Sequence, residues 1–135
     1  MKFLIVEDNY ASRKLLKHYV DEYADADFAL NGEEAVACCS RAVAAGEQYA
    51  VVLLDIVMPG MNGHETLKKI REMEEKAGFP PERRAKVVMV SSHDDRESLV
   101  NSFDEGCDGY VVKPVDDGKL ANVLGRLGFS RREGR

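Results

Sequence analysis

An excess of positive charge is missing from this chain: 19 Lys and Arg face 24 Asp and Glu among 135 residues, for a net charge of −5. Proteins that grip nucleic-acid phosphates carry the opposite balance, so a DNA- or RNA-binding role for the body of the protein is disfavoured. Long apolar runs are missing too. No stretch approaches the roughly 20 apolar residues that cross a bilayer, and the opening run Phe3-Leu4-Ile5-Val6 meets Glu7 and Asp8 well short of the ~7–15 residues of a signal-peptide core. No membrane partner and a cytoplasmic location are expected. Cysteine is scarce: Cys38, Cys39 and Cys107 are odd in number and lack metal-ligand or redox spacing. They are expected to be packed thiols, since free cysteine behaves as a small buried hydrophobe. Internal repeats, low-complexity segments and linkers are also lacking, so one domain is expected.

What is present is a well-solvated globular composition, 44% hydrophobic and 32% charged. Short β-branched runs alternate with longer stretches of helical period. The runs are Phe3–Val6, Phe28–Leu30, Val51–Leu54, Val87–Val90 and Tyr110–Val112, and their near-continuous hydrophobicity suits strands buried on both faces, as in a parallel sheet covered by helices. Between them Ala11, Leu15, Tyr19 and Tyr23 recur every four residues, Leu67, Ile70 and Met73 every three, and Leu120, Val123, Leu124 and Leu127 follow the i, i+3, i+4, i+7 pattern of a helix face. Asn31 with Glu34 and Asn62 with Glu65 have the spacing of helix-start caps, and Gly46 and Gly106 sit where helices should stop. Five β/α units result, an α/β doubly wound five-stranded parallel sheet with right-handed crossovers and the strand order 2-1-3-4-5. The domain is expected over residues 1–129, with 130–135 a flexible basic tail.

The residues that follow the strands carry the chemistry. Glu7 and Asp8 follow the first strand, Asp55 the third, Ser91 the fourth and Lys113 the fifth. In open α/β sheets ligands sit outside the carboxyl ends of the strands, where strand order reverses, here between the first and third strands. Three carboxylates converging there repel one another and raise a pKa unless a cation balances them. Oxygen-only ligands select a hard divalent ion, and Mg2+ suits a site of few carboxylates completed by water. A metal beside a carboxylate, a hydroxyl and an ammonium is the equipment of phosphoryl transfer. Asp55 is then the nucleophile that forms an acyl phosphate. Glu7 and Asp8 hold the metal, Lys113 pairs with a phosphoryl oxygen, and the Ser91 hydroxyl donates to another.

At these residues the sequence resembles the receiver domain of bacterial two-component response regulators, the CheY-like family, over roughly residues 2–127. The matching segments run from Phe3 to Asn9, from Leu54 to Gly63, from Val90 to Ser92 and from Gly109 to Pro114. The resemblance implies phosphorylation of Asp55 by a sensor histidine kinase or histidine phosphotransfer protein. It implies a Val57 backbone carbonyl in the metal shell, a cis Lys113-Pro114 bond, and Ser91 and Tyr110 as switch residues remodelling the surface of helix 4, strand 5 and helix 5 for a downstream protein target. Val57, Ser92 and His93 are the positions expected to influence phosphoryl lifetime. Ser91 stands where the family more often has Thr, and Ser92 where it has Ala or Gly. The chain is expected to act without an output domain of its own, as a monomer or weak phosphorylation-dependent dimer, and to catalyse only its own phosphorylation and dephosphorylation. Two other classes compete: an aspartyl-phosphate phosphatase, disfavoured because Asp55-Ile56-Val57 lacks a second acid two residues on, and a flavodoxin-like phosphate or flavin binder, disfavoured because no Ser/Thr/Gly-rich loop follows the first strand.

Overall fold

The computed structural model describes residues 1–92 and 96–132. Five parallel strands, β1 (Lys2–Val6), β2 (Asp25–Ala29), β3 (Val51–Asp55), β4 (Lys86–Ser91) and β5 (Gly109–Val112), form one sheet in the order β2-β1-β3-β4-β5. Helices α1 (Tyr10–Val20), α2 (Gly32–Ala44), α3 (Gly63–Lys76), α4 (Arg96–Asp104) and α5 (Asp117–Arg126) alternate with them. This is the doubly wound architecture expected from the alternation of period.

Adjacent residues of each central strand enter opposite cores. Leu4, Val6, Val52 and Leu54 join Ala35, Cys39, Leu67 and Ile70 on the α2/α3 side. Phe3, Ile5, Val51 and Leu53 join Leu16, Val20, Leu120 and Leu124 on the α1/α5 side. Each aliphatic side chain buried in this way contributes about 1.5–3 kcal/mol before the entropic cost of ordering it. Cys39 and Cys107 are buried and Cys38 is half-buried, all three as free thiols.

Three details depart from the sequence pattern. β2 begins three residues before the run Phe28–Leu30 and ends one residue before it, because it is an edge strand held by pairing of Asp25–Ala29 with Lys2–Val6 rather than by two buried faces. In α1 the buried residues are Leu16 and Val20, and Leu15 is 45% exposed. With two leucines side by side, the period alone chose the wrong one. The basic segment after α5 is fastened at Arg131 and Arg132. The Arg131 guanidinium meets Glu22 at 3.2 Å and Asp117 at 2.8 Å. The Arg132 amide donates to the Glu22 carbonyl at 2.7 Å, and its guanidinium donates to the Asp21 carbonyl and to Asp25. The expected tail residues 133–135 lie outside the described residues.

The caps hold as expected, with Asn62 and Glu65 forming a reciprocal capping box on α3 and Asn31 accepting from the Glu34 amide on α2. Gly46 and Gly106 stand just past α2 and α4 with φ of 72° and 102°.

Candidate functional site

Register decides which residues meet at the carboxyl end of the sheet. Val6 pairs with Leu54 across β1 and β3, so the next residues, Glu7 and Asp55, lie side by side. Asp55 pairs with Val90, and Ser91 with Val112, which brings Ser91 and Lys113 to the same end. The Lys113 amide then donates to the Ser91 carbonyl at 2.6 Å. The Lys113-Pro114 bond is cis.

Carboxylate oxygens of Glu7, Asp8 and Asp55 all lie within 4.8 Å of one another. The Lys113 ammonium reaches Glu7 Oε1 at 3.1 Å and Asp55 Oδ2 at 3.3 Å, and the Val57 amide donates to Asp55 Oδ1 at 3.2 Å. Glu7 is only 1% exposed, Asp55 is buried, and Asp8 faces solvent. α3 begins directly beneath the loop after Asp55. Its first residue, Gly63, donates to the Ile56 carbonyl at 2.9 Å, and a Cβ there would stand 2.7 Å from Ile56 Cα and 2.8 Å from the Asp55 carbonyl oxygen. Only glycine admits so close a backbone approach.

The electrostatics follow from three acids around one ammonium. Burial, reinforced by the neighbouring Asp55 carboxyl and only partly offset by Lys113, pushes Glu7 up to about 7. Burial alone would lower the Lys113 ammonium, but the two carboxylates it touches together hold it above the ordinary lysine value. One Glu7 oxygen, Oε2, is buried without a hydrogen-bond partner among the described residues. A buried orphan oxygen costs ~1–3 kcal/mol. On a residue of the three-carboxylate cluster, it is an observation that fits a cation: hard oxygen donors gathered in one place, with Asp8 exposed to water.

The remaining residues singled out in the sequence are placed as follows. Ser91 is buried at the end of β4, Ser92 is exposed beyond it, and His93 lies outside the described residues. The Val57 side chain is exposed. Tyr110 is half-buried in β5 against the α2/α3 core. Two groups escaped the sequence pattern. Arg13 in α1 donates to the Glu7 carbonyl at 3.1 Å, and no residue-type pattern marks a side chain that bonds to backbone. The buried Glu74 and the half-buried Arg71 and Asp108 form a network at the opposite end of the sheet; Arg71 and Glu74 stand at the spacing of an ordinary helix ion pair, and nothing in residue type ties the distant Asp108 to them. An open depression of about 1020 Å3 among Lys2, Asp27, Arg41 and Tyr49 along the β2 edge is also separate from the acidic cluster.

The family model described as the response regulator receiver domain matches residues 3–125. Among curated proteins the chain is 33% identical over 114 residues to the transcriptional regulatory protein ResD of Bacillus subtilis, covering 84% of this chain and 42% of that protein. It is 28% identical over 128 residues to hybrid signal transduction histidine kinase L of Dictyostelium discoideum, covering 94% of this chain and 7% of that protein. The chain thus spans less than half the length of either relative. Among solved structures it resembles the CheY of Borrelia burgdorferi in a CheX-CheY-BeF3-Mg2+ complex, at 26% identity and a TM-score of 0.81 over 94% of this chain and 88% of that one. It also resembles Vibrio cholerae CheY4, at 25% identity and a TM-score of 0.74 over 93% and 96% of the two chains. With nearly its whole length matched and its acids gathered where the strand order reverses, the chain belongs to the response regulator receiver domain family.

Proposed function

We propose that this chain is a phosphorylation-dependent signalling module that accepts a phosphoryl group on Asp55 from the phosphohistidine of a sensor histidine kinase or a histidine phosphotransfer protein. The observation that carries the reading is the cluster of Glu7, Asp8 and Asp55 with the Lys113 ammonium bonded to two of its members. Support comes from the Borrelia relative, whose solved complex contains BeF3 and Mg2+.

In the transfer the Asp55 carboxylate attacks phosphorus. The P–N bond of the donor imidazole breaks, an O–P bond forms, and the imidazole nitrogen takes up a proton from solvent. Glu7, Asp8 and Asp55 would hold Mg2+, with the Val57 carbonyl as a further ligand; bound there, the ion neutralises charge on the phosphoryl oxygens. Before transfer, Lys113 holds the Asp55 carboxylate in place through its contact at 3.3 Å. On transfer its ammonium follows the charge onto a phosphoryl oxygen, and the Ser91 hydroxyl donates to another. Ser92, His93 and Val57 are the residues that set the lifetime of the acyl phosphate. Chemistry beyond the module's own phosphorylation and dephosphorylation is not part of this reading.

The response passes through Ser91 and Tyr110 to the surface of α4, β5 and α5, where a downstream protein binds in the cytoplasm. The protein acts as a monomer or a weak dimer formed on phosphorylation. Intact-mass spectrometry after incubation with acetyl phosphate and Mg2+ tests the reading: one added phosphoryl group is expected, lost in Asp55→Ala. Retention of the mass shift in that variant would overturn the assignment.

A further inference from the structure

The turn that carries Glu7 and Asp8 is three residues long, from the end of β1 at Val6 to the start of α1 at Tyr10. Its carbonyls converge on one residue. Those of Glu7 and Asp8 accept from Arg13 Nη1 at 3.1 and 3.5 Å, and that of Asn9 accepts from the Arg13 backbone amide at 2.9 Å. The other side of the turn is fixed as well. The Glu7 amide donates to the Ala29 carbonyl at 3.1 Å, and Asn9 Oδ1 caps α1 through the Ser12 amide at 2.9 Å. The guanidinium lies 5.5 Å from the centre of the Tyr10 ring, a cation–π contact that limits its rotamers. From these contacts we propose that Arg13 is a positioning residue. By gripping the backbone of Glu7 and Asp8 from behind, it fixes the angle at which both carboxylates face Asp55 and so sets how tightly the acidic cluster holds a divalent cation.

The proposal rests on the magnesium reading of the site, and its sign separates it from bulk electrostatics. A guanidinium near a cation site repels the incoming ion, so by Coulomb's law alone its removal tightens binding. Loss of positioning does the reverse, because a ligand-orienting partner commonly changes metal affinity by ~10–100-fold. Lys14 supplies an internal control: its ammonium stands 5.6 Å from the same Tyr10 ring, on the next residue of the same helix, where its neutralisation removes a nearby charge. Lysine at position 13 keeps the charge but loses the planar guanidinium whose orientation over the Tyr10 ring aims Nη1 at both carbonyls.

The experiment is calorimetric titration of Mg2+ into the wild-type protein, Arg13→Gln, Arg13→Lys and Lys14→Gln at one ionic strength, with amide hydrogen exchange of the metal-free proteins measured in parallel. Arg13→Gln should weaken Mg2+ binding about tenfold, Arg13→Lys should recover part of that loss, and Lys14→Gln should leave affinity unchanged or slightly tighter. Exchange at the Glu7 and Ser12 amides, which the turn holds on the Ala29 carbonyl and on Asn9 Oδ1, should accelerate in Arg13→Gln but not in Lys14→Gln, while core amides of β3 stay protected. Equal or tighter Mg2+ binding by Arg13→Gln overturns the proposal, as does unchanged exchange across the turn. Absence of Mg2+ binding by the wild-type protein would strike the proposed function instead, leaving the exchange comparison to decide whether Arg13 holds the turn.

Discussion

Two glutamates of this protein are almost completely removed from solvent, at opposite ends of the sheet. Glu74, fully buried in the last turns of α3, has every oxygen engaged. Oε1 accepts from Arg71 at 2.7 Å, and Oε2 accepts from Gln48 Nε2 and the Ala85 amide, each at 2.8 Å. Arg71 extends the set to the Gly106 and Ala85 carbonyls and to Asp108, which in turn accepts from the Val87 amide. Glu7 has one ammonium partner at 3.1 Å and one oxygen with none among the described residues. A fully satisfied network rigidifies the structure around it, whereas an unsatisfied buried group signals something missing. The amino end of the sheet is therefore built to hold, and the carboxyl end to receive a charge.

The comparison breaks most directly at Glu74. Replacing it with Ala leaves the buried Ala85 amide and the half-buried Gln48 amide group without their acceptor, while Arg71 keeps Gly106, Ala85 and Asp108, and each donor left unsatisfied costs about 1–3 kcal/mol. Urea denaturation of Glu74→Ala against wild type measures this. A loss under about 1 kcal/mol, the scale of an exposed ion pair, would mean that the network contributes nothing beyond its surface members.

Glu7 should show the opposite sign in the metal-free protein. Its carboxyl is raised from 4.5 to about 7 by burial and by Asp55, so between those values the folded state holds a proton that the unfolded state has lost. Stability that is fully present below pH 4.5 is then lost as pH rises toward 7. Glu7→Gln, which cannot ionise, should flatten that slope and exceed wild type in stability above pH 7 by roughly 1–3 kcal/mol, the cost of an unsatisfied buried group. Thermal melts across pH in the presence of a chelator test it. A wild-type curve that is flat or rises through this window would show that Glu7 is adequately solvated.

How much of this was legible in the sequence follows from where each group's partners lie. β1, β3 and β4 announced themselves because both of their faces are buried, and β5, an edge strand with one half-buried face, through its apolar run Tyr110–Val112; the residues at their ends, Glu7, Asp8, Asp55, Ser91 and Lys113, were legible with them because a parallel sheet delivers all strand ends to one place. β2 was misplaced because Asp25 and Asp27 hide an edge strand that needs only its neighbour's backbone. Leu16 lost to Leu15 because adjacent leucines give two phases of one period. Arg13 and Glu74 were invisible for different reasons: the bonds of Arg13 run to carbonyls, which every residue carries, while Glu74 meets Arg71 at the ordinary spacing of a helix ion pair and takes its other donors from Gln48 and Ala85, which no local pattern ties to it.

The smallest expected effect tests whether an orphan oxygen costs stability away from the site as well. Ser102 of α4 is fully buried, and its hydroxyl has no hydrogen-bond partner among the described residues, while Leu99, Val100 and Phe103 of the same helix are exposed. α4 thus turns a polar group inward and apolar ones outward, the reverse of α3, which buries Leu67 and Ile70. Ser102→Ala should stabilise the protein by two routes, helix propensity at about 0.5 kcal/mol and relief of the unsatisfied hydroxyl at about 1 kcal/mol. Ser40→Ala isolates the first, because Ser40 is an exposed serine inside α2. A gain at Ser102 that exceeds the gain at Ser40 assigns the difference to the buried hydroxyl. Equal gains would place that hydroxyl in contact with water or a neighbour, and among the described residues Glu7 would then hold the one buried side-chain atom left without a partner, tightening the link between an unpartnered oxygen and the site that uses it.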